Sequence, residues 1–425
     1  MKNLKKIFQA NQKFFLLWLA QILTQSAVSI STIIIGILSH EGTISSALKE
    51  SSASIGVIVD LSTLPGLLVA PIAGCVADKF DKKKIIIYSD VIRFFLLAVF
   101  TFFYGWQNMW LSYLLVFVLS IILQFFIPAE GGIIPQIVKK EYLIVANSLF
   151  SLTVYSTMAV GVAFSGLFLN TLGVKNTFIV CSILFITSSI LIRFVKIEKE
   201  EKKSSKLELI PFLKSMFHNI RGGVSHVLNH SKLRFALTHL FLIQIVGLTL
   251  VTIVFRIGEE IYGVSPRNAG LVVFAPLGMG LLAGVVCLNT IVRKRNRIKL
   301  ILLGTFLSSI GFSLMAFISI YDGILTEGFL GDLFANLSLF SIGLSMPFLL
   351  IPGQTLMHEN TEDRFRGRIL GIWVALTSSL ASIFATFVGL VTDIMGNISF
   401  TVIFIVFADL AYSVIIMYLL KKKSL

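Results

Sequence analysis

Several ionisable side chains lie inside long apolar runs of the sequence, among them Asp60, Asp90, Arg93 and Asp409. A charged side chain in hydrocarbon costs at least ~2.5 kcal/mol unless it is paired or reached by water, so such residues are typical of proton and ion pathways. A carboxylate in that position can hold a proton in one state of the protein and release it in another. The chemistry to consider first is therefore reversible protonation.

Asp60 is the first candidate for proton coupling, and Asp409 is the second. Asp60 lies eight residues into a predicted span, roughly 12 Å from the span's end at the helical rise of ~1.5 Å per residue, and Ser62 and Thr63 follow it closely. The alternative for Asp60 is a carboxylate that lines an outer vestibule without coupling. Asp409 lies near the middle of the last apolar run.

Asp90 and Arg93 are three residues apart, so they share one face of a helix. This spacing favours a neutralising structural ion pair inside the membrane, which could also connect to the loop that precedes it.

The motifs of soluble enzyme chemistry are missing from the sequence. His226 and His230 share a helix face, but the sequence offers no neighbouring carboxylate or cysteine to complete a metal site. There is no Gly-Lys pair for a phosphate-binding loop, and the serine-hydrolase and zinc-protease motifs are absent. We expect no enzyme activity, no cofactor, no metal and no use of ATP.

The elements that must position the charged residues are membrane-spanning helices. The chain has 425 residues, of which 56% are hydrophobic, and its mean hydropathy is +0.90. Runs of about 20 apolar residues can each cross ~30 Å of hydrocarbon as a helix, which satisfies every backbone polar group internally. We predict an all-α membrane protein with twelve spans near residues 14–38, 52–76, 84–106, 109–129, 143–168, 174–195, 234–256, 267–291, 298–320, 333–352, 368–392 and 397–420.

Basic residues indicate the orientation of the predicted spans. Most of the 36 Lys and Arg residues fall in alternate loops and in both termini, which positive charge retained in the cytoplasm explains. Both termini are therefore expected in the cytoplasm. The net charge of +14 follows from this topology and from attraction to anionic membrane lipids, and it calls for no nucleic-acid partner.

The sequence also repeats itself loosely. "LPGLLVAPIAG" (64–74) and "APLGMGLLAG" (275–284) both lead into basic loops, and proline-containing segments after spans 4 and 10 are similar. This pattern predicts two pseudo-symmetric six-helix halves. They are an N-terminal half at 1–195, a cytoplasmic connector at 196–233 and a C-terminal half at 234–425.

The stretch "GCVADKFDKKK" (74–84) resembles the signature loop of the major facilitator superfamily, which lies between spans 2 and 3. Three further stretches, "FFIPAEGGIIPQIVKKEYLIVANSLF", "YSDVIRFF" and "DRFRGRILG", resemble the macrolide-efflux and siderophore-exporter branch of its proton-coupled drug exporters. The resemblance implies that the loop latches the two halves on the cytoplasmic side. The positions that match the loop are Gly74, Asp78, Lys79, Asp81, Lys82 and Lys83.

Each part of this gating loop has a physical role to test. Gly74 could allow a neighbouring helix to approach closely, and Asp78 could cap the N-terminus of a facing helix. The lysines would anchor the loop at the lipid headgroups. The alternative is a loop that only contributes to the positive-inside charge.

In the resembled fold, spans 1, 4, 7 and 10 surround a central cavity. Buried amides there could orient a substrate by hydrogen bonds, or they could join helices. Because these side chains carry no net charge, they favour a lipophilic or zwitterionic cargo. The cavity candidates are Gln21, Gln25, Gln124, Gln244 and Asn336.

The sequence therefore predicts a secondary transporter of the plasma (inner) membrane that exports a small amphiphilic molecule by alternating access, in exchange for protons. Two features of drug:proton antiporters are absent, an arginine in span 4 and a proline in span 5, where Val162 stands. An uncoupled facilitator or importer therefore stays open as an alternative. So does a polytopic scaffold or sensor that transports nothing.

Overall fold

The computed structural model describes residues 12–43, 49–103, 108–139, 142–195, 222–291, 296–320, 329–362 and 365–421. Most of the predicted connector, residues 196–221, lies outside them. Every regular element in the described ranges is a helix. The main helices are α1 (Gln12–His40), α2 (Ser52–Leu68), α3 (Ala70–Lys79), α4 (Lys82–Phe103), α5 (Met109–Ile137), α6 (Leu143–Phe194), α7 (Ser231–Thr252), α8 (Pro266–Ile291), α9 (Arg297–Ile320), α10 (Phe329–Glu359), α11 (Arg366–Val374), α12 (Ala381–Met395) and α13 (Ile398–Lys421).

The predicted all-α membrane fold is confirmed. Ten helices in the described part of the chain are long and apolar enough to cross a membrane, or eleven if the bent pair α2 and α3 forms one span. The count of twelve stays a prediction.

Helix α6 has 52 residues, and it is interrupted at Gly173, whose φ of 75° is left-handed. At ~1.5 Å per residue a straight helix of this length would measure about 78 Å, more than twice the ~30 Å of hydrocarbon. The Thr177 hydroxyl donates to the carbonyl of Phe168, nine residues earlier, at 3.2 Å. The chain therefore bends sharply at Gly173, between the predicted spans 143–168 and 174–195.

The predicted second span, 52–76, is broken in the structure. Helices α2 and α3 meet at a bend of 58°. Proline at the start of α3 explains the break, because Pro71 has no N–H for a helical hydrogen bond.

The internal repeat of the sequence has a counterpart in the helices. Pro65 lies inside α2 and Pro276 lies inside α8. Helices α5 and α10 contain two prolines each. Each proline removes one hydrogen bond of its helix, so matching kinks are expected in matching spans.

The chain divides into two compact units. Unit 1 comprises residues 1–49 and 61–209, and unit 2 comprises residues 50–60 and 210–425. These boundaries differ from the predicted ones chiefly at 50–60, the start of α2, which belongs to unit 2. Each unit has its own apolar core, built around Phe126 in unit 1 and around Leu237 in unit 2.

Candidate functional site

Helices α4 and α5 bring three charged side chains together in the interior of unit 1. Asp90 and Arg93 of α4 are fully buried, and Glu130 of α5 is 6% exposed. Glu130 interacts electrostatically with both Asp90 and Arg93. We call Asp90, Arg93 and Glu130 the charged cluster.

Asp90 is held by three partners from three helices. Its Oδ1 lies 3.0 Å from Nη1 of Arg93, the ion pair that the spacing of these residues predicts. Its Oδ2 accepts hydrogen bonds from the hydroxyl of Thr24 on α1 at 2.9 Å and from that of Ser188 on α6 at 2.6 Å. Charge-assisted hydrogen bonds of this kind are stronger than neutral ones, so they fix the carboxylate in place.

Arg93 lies between two aromatic rings. Its guanidinium carbon is 5.0 Å from the ring centre of Phe126 and 5.7 Å from that of Phe185, which are cation–π distances. Within the described residues, Nε and Nη2 of Arg93 and Oε1 of Glu130 have no hydrogen-bond partner. The charge of Arg93 is therefore balanced by Asp90 and stabilised by the two rings. Glu130, the second carboxylate of the cluster, has one oxygen that accepts no hydrogen bond from the described residues.

The charged cluster holds one more carboxylate than it holds guanidinium groups. With both carboxylates ionised and the guanidinium protonated, it carries one net negative charge in a buried place. Isolated buried charge is costly, and a proton on one carboxylate makes the cluster neutral.

Sequence reasoning missed Glu130. The predicted fourth span ended at residue 129, whereas α5 continues to Ile137. The signal was present, because Gly131, Gly132, Ile133 and Ile134 continue the apolar run beyond the glutamate.

Asp60, the first predicted proton site, lies in unit 2 and is half-buried. Its Oδ2 accepts a hydrogen bond of 2.7 Å from the hydroxyl of Thr386 on α12. Gly56, one turn earlier on α2, would place a Cβ against the same threonine. Asp60 is therefore held in close helix packing rather than on an open surface.

Asp409, the second predicted proton site, lies on α13 in unit 2. Its Oδ2 accepts from Ser308 at 2.6 Å and from Ser309 at 2.8 Å, both on α9. Asp409 also lines a cavity of about 730 Å³ within this unit. The sequence did not predict this cavity.

The gating loop connects helix ends within unit 1. Asp81 caps α4, because its Oδ1 accepts from the backbone N–H of Lys83 at 2.9 Å. The Nζ of Lys83 donates to the carbonyl of Arg193 at the end of α6, at 2.7 Å. The methylene chain of Lys82 covers Gly132 of α5. Asp81, Lys82 and Lys83 therefore join α4, α5 and α6.

Gly74, Asp78 and Lys79 are the remaining positions of the gating loop. No atom of the described part of unit 1 lies within 4 Å of the position that a Cβ on Gly74 would take, so the close approach expected at Gly74 is absent there. Asp78 is exposed, and Lys79 is half-buried at the end of α3. Capping of a facing helix by Asp78 stays a prediction.

A family model described as the Major Facilitator Superfamily matches residues 17–386 of the sequence. The chain belongs to this superfamily. It is 31% identical to the uncharacterized MFS-type transporter YkuC of Bacillus subtilis over 241 residues, which cover 55% of each chain. It is 25% identical to macrolide efflux protein A of Streptococcus pyogenes over 381 residues, which cover 87% of this chain and 86% of that protein. The chain therefore matches about half the length of YkuC and most of the efflux protein.

Among solved structures, a bacterial homologue of the human lysosomal transporter Spinster has the same fold. Its TM-score is 0.66 at 14% sequence identity, with 90% of this chain and 82% of that chain covered. The resemblance of the sequence to the major facilitator superfamily is confirmed by the family model, and the solved structure shares the fold.

The amides predicted to line the central cavity of this major facilitator differ in their partners. Gln21 is buried, and its Nε2 donates to the carbonyl of Phe150 on α6 at 3.3 Å, so it joins two helices. Gln124 and Asn336 donate to carbonyls of their own helices. Gln25 is buried one turn from Gln21, and Gln244 is half-buried on α7. A role of any of them in substrate binding stays a prediction.

A network of ion pairs and hydrogen bonds in unit 2 joins residues that are far apart in the sequence. Arg256, just after α7, pairs with Glu260 and with Asp393 at 3.3 Å each. Asp393 accepts from the backbone N–H groups of Ser52 at 2.8 Å and Ala53 at 2.9 Å, so it caps α2. Arg256 and Glu260 are four residues apart, a spacing at which helical side chains can pair, whereas nothing in the sequence indicates Asp393.

The pair His226 and His230 also gains an unforeseen neighbour. Glu362 follows α10, and one ligand atom from each of the three residues lies within 4.8 Å of the others. His226 stacks on Phe365 with ring centres 4.2 Å apart. The expectation that no carboxylate accompanies this histidine pair was wrong, because α10 returns the chain to the same place.

Proposed function

We propose that this major facilitator exports a small amphiphilic molecule in exchange for protons. The exchange takes place by alternating access across the plasma membrane, with both termini in the cytoplasm. The family assignment supports transport, and the match to macrolide efflux protein A over most of both chains supports export. The basic residues of the loops and termini support the orientation.

The charged cluster carries the proposal of proton coupling. Two ionised carboxylates and one guanidinium carry a net charge of minus one, which a single bound proton neutralises. Glu130 is the member of the cluster with the fewest direct hydrogen bonds. Thr24, on the same helix as Gln21 and Gln25, contacts Asp90. A change at α1 on substrate binding would therefore reach the cluster directly.

Asp60 and Asp409 are the further candidates for the proton site. Both accept hydrogen bonds from hydroxyl groups, which suit a carboxylate in either protonation state, since a hydroxyl can donate or accept. Asp60 and Asp409 come after Glu130 because both are half-buried, whereas Glu130 is buried.

The experiment is proton flux in reconstituted vesicles that contain a pH-sensitive dye. Wild type is challenged with macrolides, siderophores and lipophilic cations, and the responses of Glu130→Gln, Asp60→Asn and Asp409→Asn are compared. The matched control is Glu359→Gln, since Glu359 is an exposed carboxylate on α10. We expect compound-driven proton flux in wild type and control, and a loss of at least tenfold in Glu130→Gln.

A second readout separates coupling from folding. Exchange of labelled compound for unlabelled compound at equal pH needs no net proton movement, so Glu130→Gln should retain it. If wild type moves a compound without protons, antiport is wrong and the uncoupled facilitator takes its place. If Asp60→Asn alone abolishes proton flux, coupling stands but its residue is Asp60.

A further inference from the structure

Unit 2 contains a cavity of about 730 Å³ that lies among α7, α9, α10, α12 and α13. Because every lining residue belongs to unit 2, the cavity is a property of this unit alone. A volume of several hundred Å³ is that of small-molecule sites.

The cavity extends along two of its helices. Its lining positions on α13 run from Phe400 to Tyr412 along one face of the helix, a length of about 18 Å at 1.5 Å per residue. Those on α12 run from Phe384 to Met395, which corresponds to about 16 Å. The lining therefore extends along both helices for a length that an extended chain can follow.

The walls are mostly apolar, and the one charged lining residue lies toward one end. Phenylalanine and methionine side chains line the part formed by Phe387, Met395, Phe400 and Phe404. Asp409 lies nine residues beyond Phe400, with Ser308 beside it. The cavity therefore has a mostly apolar part along its helices and one end that carries a charged side chain.

Asp409 is the charged group of this cavity. Among the described lining residues there is no lysine, arginine or histidine, so no lining cation balances the carboxylate. Tyr412 lines the cavity one turn after Asp409, and its hydroxyl lies 2.7 Å from Nδ1 of His239. Nε2 of His239 lies 3.0 Å from the carbonyl of Leu349, so a neutral imidazole serves both contacts, donating to the carbonyl and accepting from Tyr412.

We infer that the cavity binds a lipophilic monocation, whose ammonium head lies at Asp409 and whose hydrocarbon tail lies along the phenylalanines. The carboxylate attracts the head, and the aromatic face of Tyr412 favours a cation as well. The same carboxylate repels anionic lipid headgroups. That this cation is the exported cargo rests on the proposed function. Binding of the cation to the cavity does not depend on export.

The test measures binding to the full chain in nanodiscs of phosphatidylcholine, with radiolabelled dodecyltrimethylammonium as the probe and empty nanodiscs as the background. Wild type is compared with Asp409→Asn, which removes the charge, and with Ala408→Trp, which fills the cavity next to it. Asp332→Asn is the matched control, because Asp332 is exposed in the same unit and does not line the cavity. Dodecyl sulfate and tetramethylammonium serve as competitors that keep only the tail or only the head.

We expect Asp409→Asn and Ala408→Trp each to weaken binding at least tenfold and Asp332→Asn to leave it unchanged. Neither competitor should displace the probe at equal concentration. The inference is overturned if both cavity variants, shown to be folded by their thermal unfolding, bind as wild type does. It is also overturned if dodecyl sulfate competes equally, because the cavity would then accept any tail, including that of a lipid.

The experiments distinguish a failure of the proposed binding site from a failure of the proposed function. If the cation binds as expected but drives no proton flux in vesicles, the site stands and the proposed cargo is wrong. If another compound drives proton flux while the cation does not bind, the proposed function stands and this site is wrong.

Discussion

The two units differ in the partners and the burial of the carboxylates on their helices. In unit 1, Asp90 is fully buried and meets a guanidinium as well as two hydroxyls. In unit 2, Asp60 and Asp409 are half-buried and accept hydrogen bonds from threonine or serine hydroxyls. The difference lies in what remains available to a mobile cation.

The guanidinium of Arg93 balances the charge of Asp90. The proton that we propose for the charged cluster is therefore assigned to Glu130, its surplus carboxylate. Hydroxyl partners satisfy the oxygen atoms without neutralising the charge. Asp409 therefore keeps its attraction for a cation that enters the cavity. The comparison predicts large stability losses where a guanidinium is the partner and small ones where hydroxyls are.

The largest effect is expected for Arg93→Met, which keeps much of the side-chain volume and removes the charge. Two buried carboxylates then lose their counter-charge, and breaking a buried pair in this way costs about 3–5 kcal/mol of the free energy of unfolding. Thermal unfolding of the purified protein and the yield of monodisperse protein measure it. The control Arg297→Met removes a pair with Glu359 that is about half exposed, and it should cost less than about 1 kcal/mol.

A double variant sharpens this result. Asp90→Asn combined with Arg93→Met removes both charges of the pair and should recover part of the stability lost in the single variant. If Arg93→Met unfolds at the wild-type temperature, the cluster is not held by the guanidinium, and the difference between the units disappears.

Asp393→Ala comes next, because Asp393 is a carboxylate of unit 2 that does have a guanidinium partner. The change removes the pair with Arg256 and the cap of two backbone N–H groups of α2. Losing a cap and a charged hydrogen bond should cost about 2 kcal/mol. Thermal unfolding measures the loss, and Asp332→Ala is the control. An effect as small as that of the control would mean that the partner type does not decide stability.

Much of the fold could be predicted from the sequence because its signals are local. Apolar runs give the helices, and the spacing of Asp90 and Arg93 gives their shared face and their pairing. The motif between the second and third predicted spans gives the family. The end of a helix depends on its packing as well as on the local sequence, so the predicted span ends at residue 129 and leaves out Glu130, one residue beyond it.

The rest could not be predicted, because periodicity shows which residues share a face of one helix but not which faces of distant helices meet. Ser51 and Asp393 are 342 residues apart in sequence, and in the structure the hydroxyl of Ser51 donates to Oδ2 of Asp393 at 2.9 Å. Glu362 reaches the pair His226 and His230 in the same way. The cavity at Asp409 needs five helices from one unit, so no single stretch of sequence signals it.

A smaller effect is expected for Thr386→Val, which keeps the shape of the side chain and removes the donor to Asp60. Loss of one hydrogen bond to a half-buried carboxylate should cost about 1 kcal/mol of the free energy of unfolding. Thr355→Val is the control, since the Thr355 hydroxyl bonds to the carbonyl of Ile351 in its own helix. A loss for Thr386→Val as large as that for Asp393→Ala would place Asp60 with the structural carboxylates.

The smallest effect on stability is expected for Asp409→Asn, and the same chemical change at Asp90 makes the comparison direct. An asparagine oxygen at 409 can accept the bonds from Ser308 and Ser309, and no lining cation loses a partner, so the free energy of unfolding should change by less than about 0.5 kcal/mol. Asp90→Asn leaves Arg93 buried without its counter-ion and should cost several times more. Thermal unfolding of the two variants side by side measures both. Equal losses would mean that Asp409 is a structural residue like Asp90, and its charge would then not be available to a ligand.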